Sequence, residues 1–191
     1  THMLRNIFTK NAFQRPREWL RVVIGDVGGG FGPKGFAYPE PVAVIFAAEK
    51  LGCSVRWISS RDESCLSDAQ SRSLDAEIEL AMDKDGRFLA LRFDGLSDMG
   101  AYLSTFGPGI AISGPGRAFP GWYDIAAIHV RVRSVFTNTV VIDAFRGSGG
   151  VDPMTMLECL VDAAAARLGR DPVDLRRQNL IGPEAMPHTT V

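Results

Sequence analysis

The sequence predicts an α+β fold in which mixed or antiparallel sheets are flanked by helices. The first observation is a hairpin pattern, because residues 74–82 and 87–96 alternate in polarity around Asp83-Lys-Asp-Gly86. The second is a helical pattern over residues 154–168, closed by Gly169. Antiparallel hairpins set between helices are typical of α+β proteins rather than of doubly wound parallel sheets.

The first third of the chain predicts two short strands and one helix. Residues 20–24 are mostly apolar and β-branched, which favours a strand. Residues 40–51 carry small apolar residues in a helical pattern, and Gly52 follows as a C-cap. Residues 54–58 alternate in polarity and predict a second short strand.

The remaining elements follow the hairpin. Residues 107–121 are rich in glycine and proline and predict an irregular loop. Residues 125–135 and 139–144 predict a second strand pair around Thr137-Asn138. Asp171-Pro172 provides an N-cap and a proline at the first helical position, so a last helix is predicted to reach about Asn179.

Composition and charge narrow the class of protein. A chain of 191 residues can form one domain with a substantial core. Its 21 basic and 22 acidic residues give no sign of a nucleic acid or an anionic membrane as partner. No apolar run approaches the ~20 residues of a membrane span. The cysteines, Cys53, Cys65 and Cys159, lack C-x-x-C spacing and indicate a reducing compartment.

A glycine-rich loop over residues 25–35 is the most informative stretch of the chain. It holds six glycines in eleven positions, directly after the apolar residues 20–24. Glycine adopts positive φ without strain and leaves its main-chain N–H accessible. Such a loop can surround an anionic or metal-bound group with main-chain donors. A tight turn without any ligand is the alternative.

A nicotinamide dinucleotide site is a second alternative for this loop, since Gly30-Phe-Gly32-Pro-Lys-Gly35 matches G-x-G-x-x-G. In a dinucleotide fold the helix opens within the motif, so that its N-terminus faces the pyrophosphate. Here Pro33 interrupts the motif, and the acidic pair Asp62-Glu63 follows at roughly 30 residues rather than ~20. The sequence therefore gives this alternative little support.

A second glycine-bearing loop covers residues 143–150, between a predicted strand and the helix at 154–168. Arg146 in this loop could bind a phosphate or a carboxylate through its planar guanidinium, or it could face solvent at a turn. Two such loops at strand ends are expected to converge on one cofactor or substrate. The residues themselves specify no reaction.

Together the two loops resemble the active-site loops of the molybdenum hydroxylases, the family of xanthine dehydrogenase, aldehyde oxidase and aerobic carbon monoxide dehydrogenase. Residues 27–34 are similar to the family's GGGFGxK loop, and residues 144–147 to its Ala-Phe/Tyr-Arg-Gly loop. Further short segments match the family's sequence, in the same order, over nearly the whole chain from about residue 20. They are residues 38–40, 55–57, 60–63, 83–86, 98–102, 123–125, 135–139 and 171–180.

The resemblance implies that residues 1–191 form a single molybdopterin-binding domain, the first half of the family's cofactor-binding region. It further implies that main-chain and side-chain groups of both loops contact the cofactor, with Phe31 and Arg146 near the molybdenum. The implied cofactor-binding residues are Gly29, Gly30, Phe31, Gly32, Phe145, Arg146 and Gly147.

The resemblance also implies the wider enzyme. Its activity is oxidative hydroxylation of an aldehyde or an N-heterocycle, with water as the oxygen source. The implied cofactor is molybdopterin in its cytosine dinucleotide form. The implied partners are the rest of the large subunit, a [2Fe–2S] small subunit and an FAD-binding medium subunit. Two such heterotrimers form the family's usual assembly, and the implied location is the cytoplasm.

Departures from the family pattern limit what the chain is expected to do. No residue matches the family's catalytic glutamate, so we expect no catalytic residue here and no activity from this chain alone. In the xanthine branch, a substrate-orienting glutamate stands at the position of Gly35 and a purine-stacking aromatic at that of Ser148. Residues 114–116 lie about where that branch has its substrate arginine, although Arg117 is close by. Gly147 occupies the position of the copper-binding cysteine, so no copper centre is expected. A non-catalytic structural or binding module with the same fold is the alternative.

Overall fold

A three-stranded mixed sheet lies at the centre of the computed structural model, which describes residues 1–189. Strands β1 (Leu74–Met82) and β2 (Phe88–Asp98) form the predicted antiparallel hairpin. Strand β3 (Ala127–Val135) pairs with β2 in parallel, from Ala90 opposite Ala127 to Asp98 opposite Val135. The sheet order is β1-β2-β3. The predicted α+β class is confirmed.

The described residues form six α-helices, and the three that the sequence predicts are confirmed. They are α1 (His2–Asn6), α2 (Pro39–Leu51), α3 (Arg61–Ser67), α4 (Gly107–Ala118), α5 (Val151–Leu168) and α6 (Pro172–Asn179). A π-helical segment, Ile7–Ala12, continues α1. Helix α5 begins at Val151, before the predicted residue 154. In residues 1–189 we find no helix with the length and apolarity needed to cross a bilayer.

The predicted helix ends are confirmed in atomic detail. Gly52 and Gly169 close α2 and α5 in the left-handed conformation, at φ +65° and +64°. The carboxylate of Asp171 accepts hydrogen bonds from the N–H groups of Val173 and Asp174 at the start of α6, at 2.7 and 3.2 Å. These caps are local, so a short window of sequence contains all the residues that form them.

The main hydrophobic core lies between the sheet and helices α5 and α6. Its fully buried side chains include Phe93 of β2, Leu157 and Val161 of α5, and Leu175 of α6, each with 0 % of its surface exposed. The side chain of Asn179 links α6 to the hairpin. It donates to the carbonyl oxygen of Gly86 at 3.0 Å and accepts from the N–H of Phe88 at 2.8 Å. The sheet, α5 and α6 thus form the scaffold on which the loops are mounted.

Three predicted strands are absent from the structure. Residues 20–24 and 54–58 have no strand partner among residues 1–189, and they leave Val23 and Ile58 70 % and 67 % exposed. Residues 139–144 do not pair with residues 125–135. They lie beside residues 99–101, with Ala101 N–H donating to Thr139 O at 3.0 Å, and contribute only an isolated bridge between Gln70 and Ile142. A β-propensity pattern predicts a strand only where a partner strand is available.

The prediction of an irregular loop at residues 107–121 is wrong, because residues 107–118 form α4. Glycine in a helix costs about 1 kcal/mol relative to alanine, which makes such a composition a poor helix predictor. The small residues of α4 permit close backbone packing, and Gly114 is an example. A Cβ at this position would lie 2.3 Å from the carbonyl oxygen of Gly149, so the helix backbone packs directly on the second loop.

Besides α4, two further helices, α1 and α3, are not among the predicted elements. Helix α3 begins with a capping box, in which Ser60 Oγ accepts from Glu63 N and Glu63 Oε2 accepts from Ser60 N. The sequence Ser60-Arg-Asp-Glu63 carries the S-x-x-E signature of that cap, so the helix could have been recognised. Helix α1 has no side-chain cap and gives no comparable signal.

Asp98, at the end of β2, connects three separate segments. Its carboxylate accepts hydrogen bonds from Gly100 N at 2.7 Å and from the hydroxyls of Thr137, Thr139 and Ser73 at 2.7, 3.0 and 3.2 Å. Burial acts to raise the pKa of Asp98, but these hydrogen bonds outweigh it, and the pKa lies below its ordinary value. The carboxylate thereby fixes the path of the chain toward the second loop.

We predict that Asp98→Ala lowers the free energy of unfolding by about 1–3 kcal/mol at pH 7, because it leaves several donors without an acceptor. Since the folded-state pKa is lowered, the stabilisation is complete above the unfolded-state pKa of about 3.9 and is lost as the pH falls through the folded value. Urea unfolding at pH 7 and at pH 3 measures both effects.

The matched control is Asp75→Ala, at an exposed position of β1 whose side chain makes no hydrogen bond to other described residues. Its effect should stay within about 0.5 kcal/mol. Equal losses for the two variants, or a loss for Asp98→Ala that grows on acidification, would contradict the prediction.

Candidate functional site

The two glycine loops, residues 25–35 and 143–150, meet at one place. The N–H of Arg146 in the second loop donates to the carbonyl oxygen of Phe31 in the first loop at 2.9 Å. Gly32 lies against the second loop so closely that a Cβ there would be 2.2 Å from Ala144 O. The structure therefore brings the two loops into contact, and this contact depends on a glycine at position 32.

The backbone at this junction adopts conformations that L-residues rarely use. Phe31 has φ +51°, Arg146 +20° and Ser148 +42°, and the glycines Gly32 and Gly147 have φ +96° and +109°. Non-glycine residues in such conformations typically cost 1–3 kcal/mol each and cluster at ligand-binding sites. The surrounding contacts hold this strained backbone in place.

Several main-chain donors at the junction have no hydrogen-bond partner among residues 1–189. They are the N–H groups of Gly30, Phe31, Gly32 and Gly147. Around Gly30 the space is open, since a Cβ built there would meet nothing within 4 Å. Unpaired main-chain N–H groups on a left-handed backbone form the concave sites that bind anions and oxygen ligands of metals. The junction therefore suits an anionic or metal-bound group.

Two arginine–aromatic stacks border these donors. The guanidinium of Arg146 lies 5.7 Å from the ring centroid of Phe31, and that of Arg72 lies 5.1 Å from the ring centroid of Phe145. Phe31 and Phe145 keep 51 % and 39 % of their surface exposed. Arg146 forms no ion pair with any described residue, so its charge is available to an anion at the junction.

The dinucleotide alternative is wrong. A dinucleotide site requires a helix that opens within the glycine motif and a doubly wound parallel sheet. Here the motif leads into a short 3₁₀ turn, Pro33–Gly35, and α2 starts only at Pro39. The physical cause is Pro33, which favours the first turn of a short helix, followed by Gly35, which ends it.

Comparison with known proteins identifies the family. A family model described as the molybdopterin cofactor-binding domain matches residues 1–180. The crystal structure of quinoline 2-oxidoreductase from Pseudomonas putida 86 superimposes on 97 % of the chain with a TM-score of 0.90 and 36 % identity. The chain belongs to the molybdenum hydroxylase family. Its matched part is the molybdopterin cofactor-binding domain, as the sequence resemblance implies.

Two relatives among the molybdenum hydroxylases extend the comparison. The gamma subunit of the 6-hydroxypseudooxynicotine dehydrogenase complex of Paenarthrobacter nicotinovorans is 31 % identical over 98 % of the chain. The carbon monoxide dehydrogenase large chain of Hydrogenophaga pseudoflava is 35 % identical over 92 % of the chain. The chain spans 23 % and 22 % of the length of these two relatives, and 24 % of the quinoline enzyme's chain.

The loop junction offers main-chain donors and shape rather than metal-ligating side chains. Among residues 1–189 there is no group of three or more His, Cys, Asp or Glu side chains that could hold a metal ion. A cofactor that carries its own metal would need only donors and shape from the protein. Glycines without side chains, and N–H groups without partners, are suited to that task.

Two residues near the second loop carry contacts that the sequence did not reveal. Arg72 donates from Nη2 to Arg146 O at 2.7 Å. Asp152, in the first turn of α5, lies close to Arg72. Burial raises the pKa of Asp152, and the positive charge of Arg72 opposes that shift. Neither residue belongs to a motif, and only the folded chain brings Arg72 to the loop.

We predict that Gly32→Ala separates the two loops and lowers the free energy of unfolding by about 2 kcal/mol or more. A Cβ at position 32 would overlap Ala144 O, and φ +96° is strained for alanine. Urea unfolding measures the loss. Gly30→Ala is the control, because its Cβ enters open space and its φ is not positive. The prediction is wrong if the two variants are equally stable.

Proposed function

We propose that this chain forms the part of a molybdenum hydroxylase large subunit that orients the molybdenum end of molybdopterin. The observation that carries the proposal is the loop junction. There the Arg146 N–H is bound to Phe31 O, and the N–H groups of Gly30, Gly32 and Gly147 have no partner among residues 1–189. Family membership supports molybdopterin as the group that these donors meet. The cofactor-binding residues proposed are Gly29, Gly30, Phe31, Gly32, Phe145, Arg146 and Gly147.

When bound, the cofactor would supply the molybdenum centre at which a substrate is hydroxylated with oxygen from water. The residues of this chain contribute orientation and electrostatics. Main-chain N–H donors cannot titrate, and a rigid loop keeps them in position while charge develops. Phe31 forms an apolar wall next to these donors, and Arg146 adds a positive charge beside that wall.

For the substrate, we propose an aldehyde or an N-heterocycle rather than a purine or carbon monoxide. Gly147 follows Arg146 and has φ +109°, and a Cβ there would lie 2.3 Å from Val151 Cγ2. A copper-binding cysteine at this position would have a strained backbone, and its Cβ would clash with Val151. The quinoline enzyme that resembles this chain supports the heterocycle class.

We further propose the wider assembly. Residues 1–191 would form one partial cofactor-binding domain, with the catalytic glutamate in a segment outside this sequence, so that the chain alone is inactive. The large subunit would bind the cytosine dinucleotide form of the cofactor and associate with [2Fe–2S] and FAD subunits, as a dimer of heterotrimers. Cys53, Cys65 and Cys159 are all free and exposed, which supports the reducing cytoplasm as the location.

Metal and pterin analysis tests the proposal. We would purify this chain, and the complete large subunit that contains it, from a host that synthesises the cofactor. We expect about one molybdenum atom and one pterin per complete subunit and none on the chain alone. Absence of molybdenum and pterin from both proteins would contradict the proposal and favour a structural module that keeps the fold.

We predict that Phe31→Ala in the complete subunit lowers kcat by about tenfold or more, because the wall beside the main-chain donors is lost. The free energy of unfolding should change by less than about 1 kcal/mol, since the ring is 51 % exposed. Phe46→Ala on α2 is the matched control at 52 % exposure and should keep its activity. Equal losses of kcat and of cofactor-loaded folded protein would argue against the role of Phe31.

A further inference from the structure

The peptide unit between Arg146 and Gly147 is held from one side only. Its carbonyl oxygen, on Arg146, accepts a hydrogen bond from Arg72 Nη2 at 2.7 Å. Its N–H, on Gly147, has no partner among residues 1–189. The bond is trans, so the carbonyl oxygen and the N–H point in opposite directions from one rigid plane. Fixing the carbonyl therefore fixes the direction of the N–H.

Arg72 is itself held by several contacts. Its Nη1 donates to Ser71 Oγ at 2.8 Å, and its guanidinium stacks 5.1 Å from the ring centroid of Phe145. Its backbone has φ +63°, a strained conformation for arginine that is retained in the fold. The half-buried Asp152 lies near enough for the charge of Arg72 to act on it. These contacts fix the guanidinium against the second loop.

We propose that Arg72 is a positioning residue, which orients the Gly147 N–H as a hydrogen-bond donor for the group bound at the loop junction. A charged donor on the carbonyl also polarises the peptide unit and makes its N–H a stronger donor. This inference rests on the proposed function, because it assumes that the bound group is the molybdenum end of molybdopterin. Arg72 lies outside both glycine loops, so the proposal adds a third segment of the chain to those that shape the site.

The first arm of the test uses NMR on this chain, with three variants. Arg72→Met removes the charge and the hydrogen bond but keeps apolar contact with Phe145. Arg72→Lys keeps a charged donor, and Arg56→Ala is a control at an exposed arginine without a hydrogen bond to described residues. We expect the order parameter of the Gly147 N–H to fall from about 0.85 to below 0.6 in Arg72→Met. Arg72→Lys should keep most of the wild-type order parameter at Gly147.

An internal control lies within the same loop. The N–H of Arg146 belongs to the preceding peptide unit and donates to Phe31 O, so its protection from hydrogen exchange should persist in Arg72→Met. Persistent protection shows that the loops still meet. An unchanged order parameter at Gly147, or Arg72→Met and Arg72→Lys behaving alike, overturns the proposal.

The second arm uses the complete subunit. We expect Arg72→Met to lower kcat by about 10- to 100-fold while molybdenum content and KM stay near the wild-type values, with Arg72→Lys intermediate. Equal falls in molybdenum content and kcat would show a purely structural role and overturn the proposal. If the wild-type subunit carries no molybdenum, the proposed function fails, and the NMR arm still decides whether Arg72 orients Gly147.

Discussion

The hydrogen bond from Arg146 N–H to Phe31 O is the interaction on which the candidate site depends. It joins two loops that come from opposite halves of the chain, and it does so through main-chain atoms. The bond can form only because Gly32 lets the first loop contact the carbonyl of Ala144. Residues on both sides of the junction have positive φ values, and main-chain donors beside it have no partner among residues 1–189.

The scaffold around that junction has a different chemical character. Below the loops, the sheet and helices α5 and α6 enclose a core of buried aromatic and aliphatic side chains. Closer to the loops, two carboxylates hold the backbone through hydrogen bonds. The carboxylate of Asp98 accepts from four donors. The carboxylate of Asp143, which is 1 % exposed, accepts from the N–H of Phe106 at 3.0 Å. The apolar core provides stability, and these two carboxylates determine the course of the backbone near the site.

The sequence predicted those parts of the fold that depend on neighbouring residues. The β1–β2 hairpin, α2, α5 and α6 each have their turn or cap within a few residues of the element. The prediction failed where distant contacts decide the outcome. Within the described part of the chain, residues 20–24 lack a partner strand, and α4 is stabilised by packing of Gly114 on Gly149, which no local pattern contains. The loops at the site were recognisable from their glycines and their family resemblance, whereas Arg72 reaches Arg146 across the fold and carries no motif.

The separation of Phe31 and Arg146 along the chain has a consequence for the order of assembly. Bringing distant segments together costs loop-closure entropy, and contacts of this kind slow folding. The β1–β2 hairpin and the caps of α5 and α6 are local and can form without the junction. The contact between Phe31 and Arg146 closes a long stretch of chain that contains β1, β2, α4 and β3. We therefore expect the site to become ordered after these local elements, so a chain that stalls during folding would carry formed local elements without a formed site.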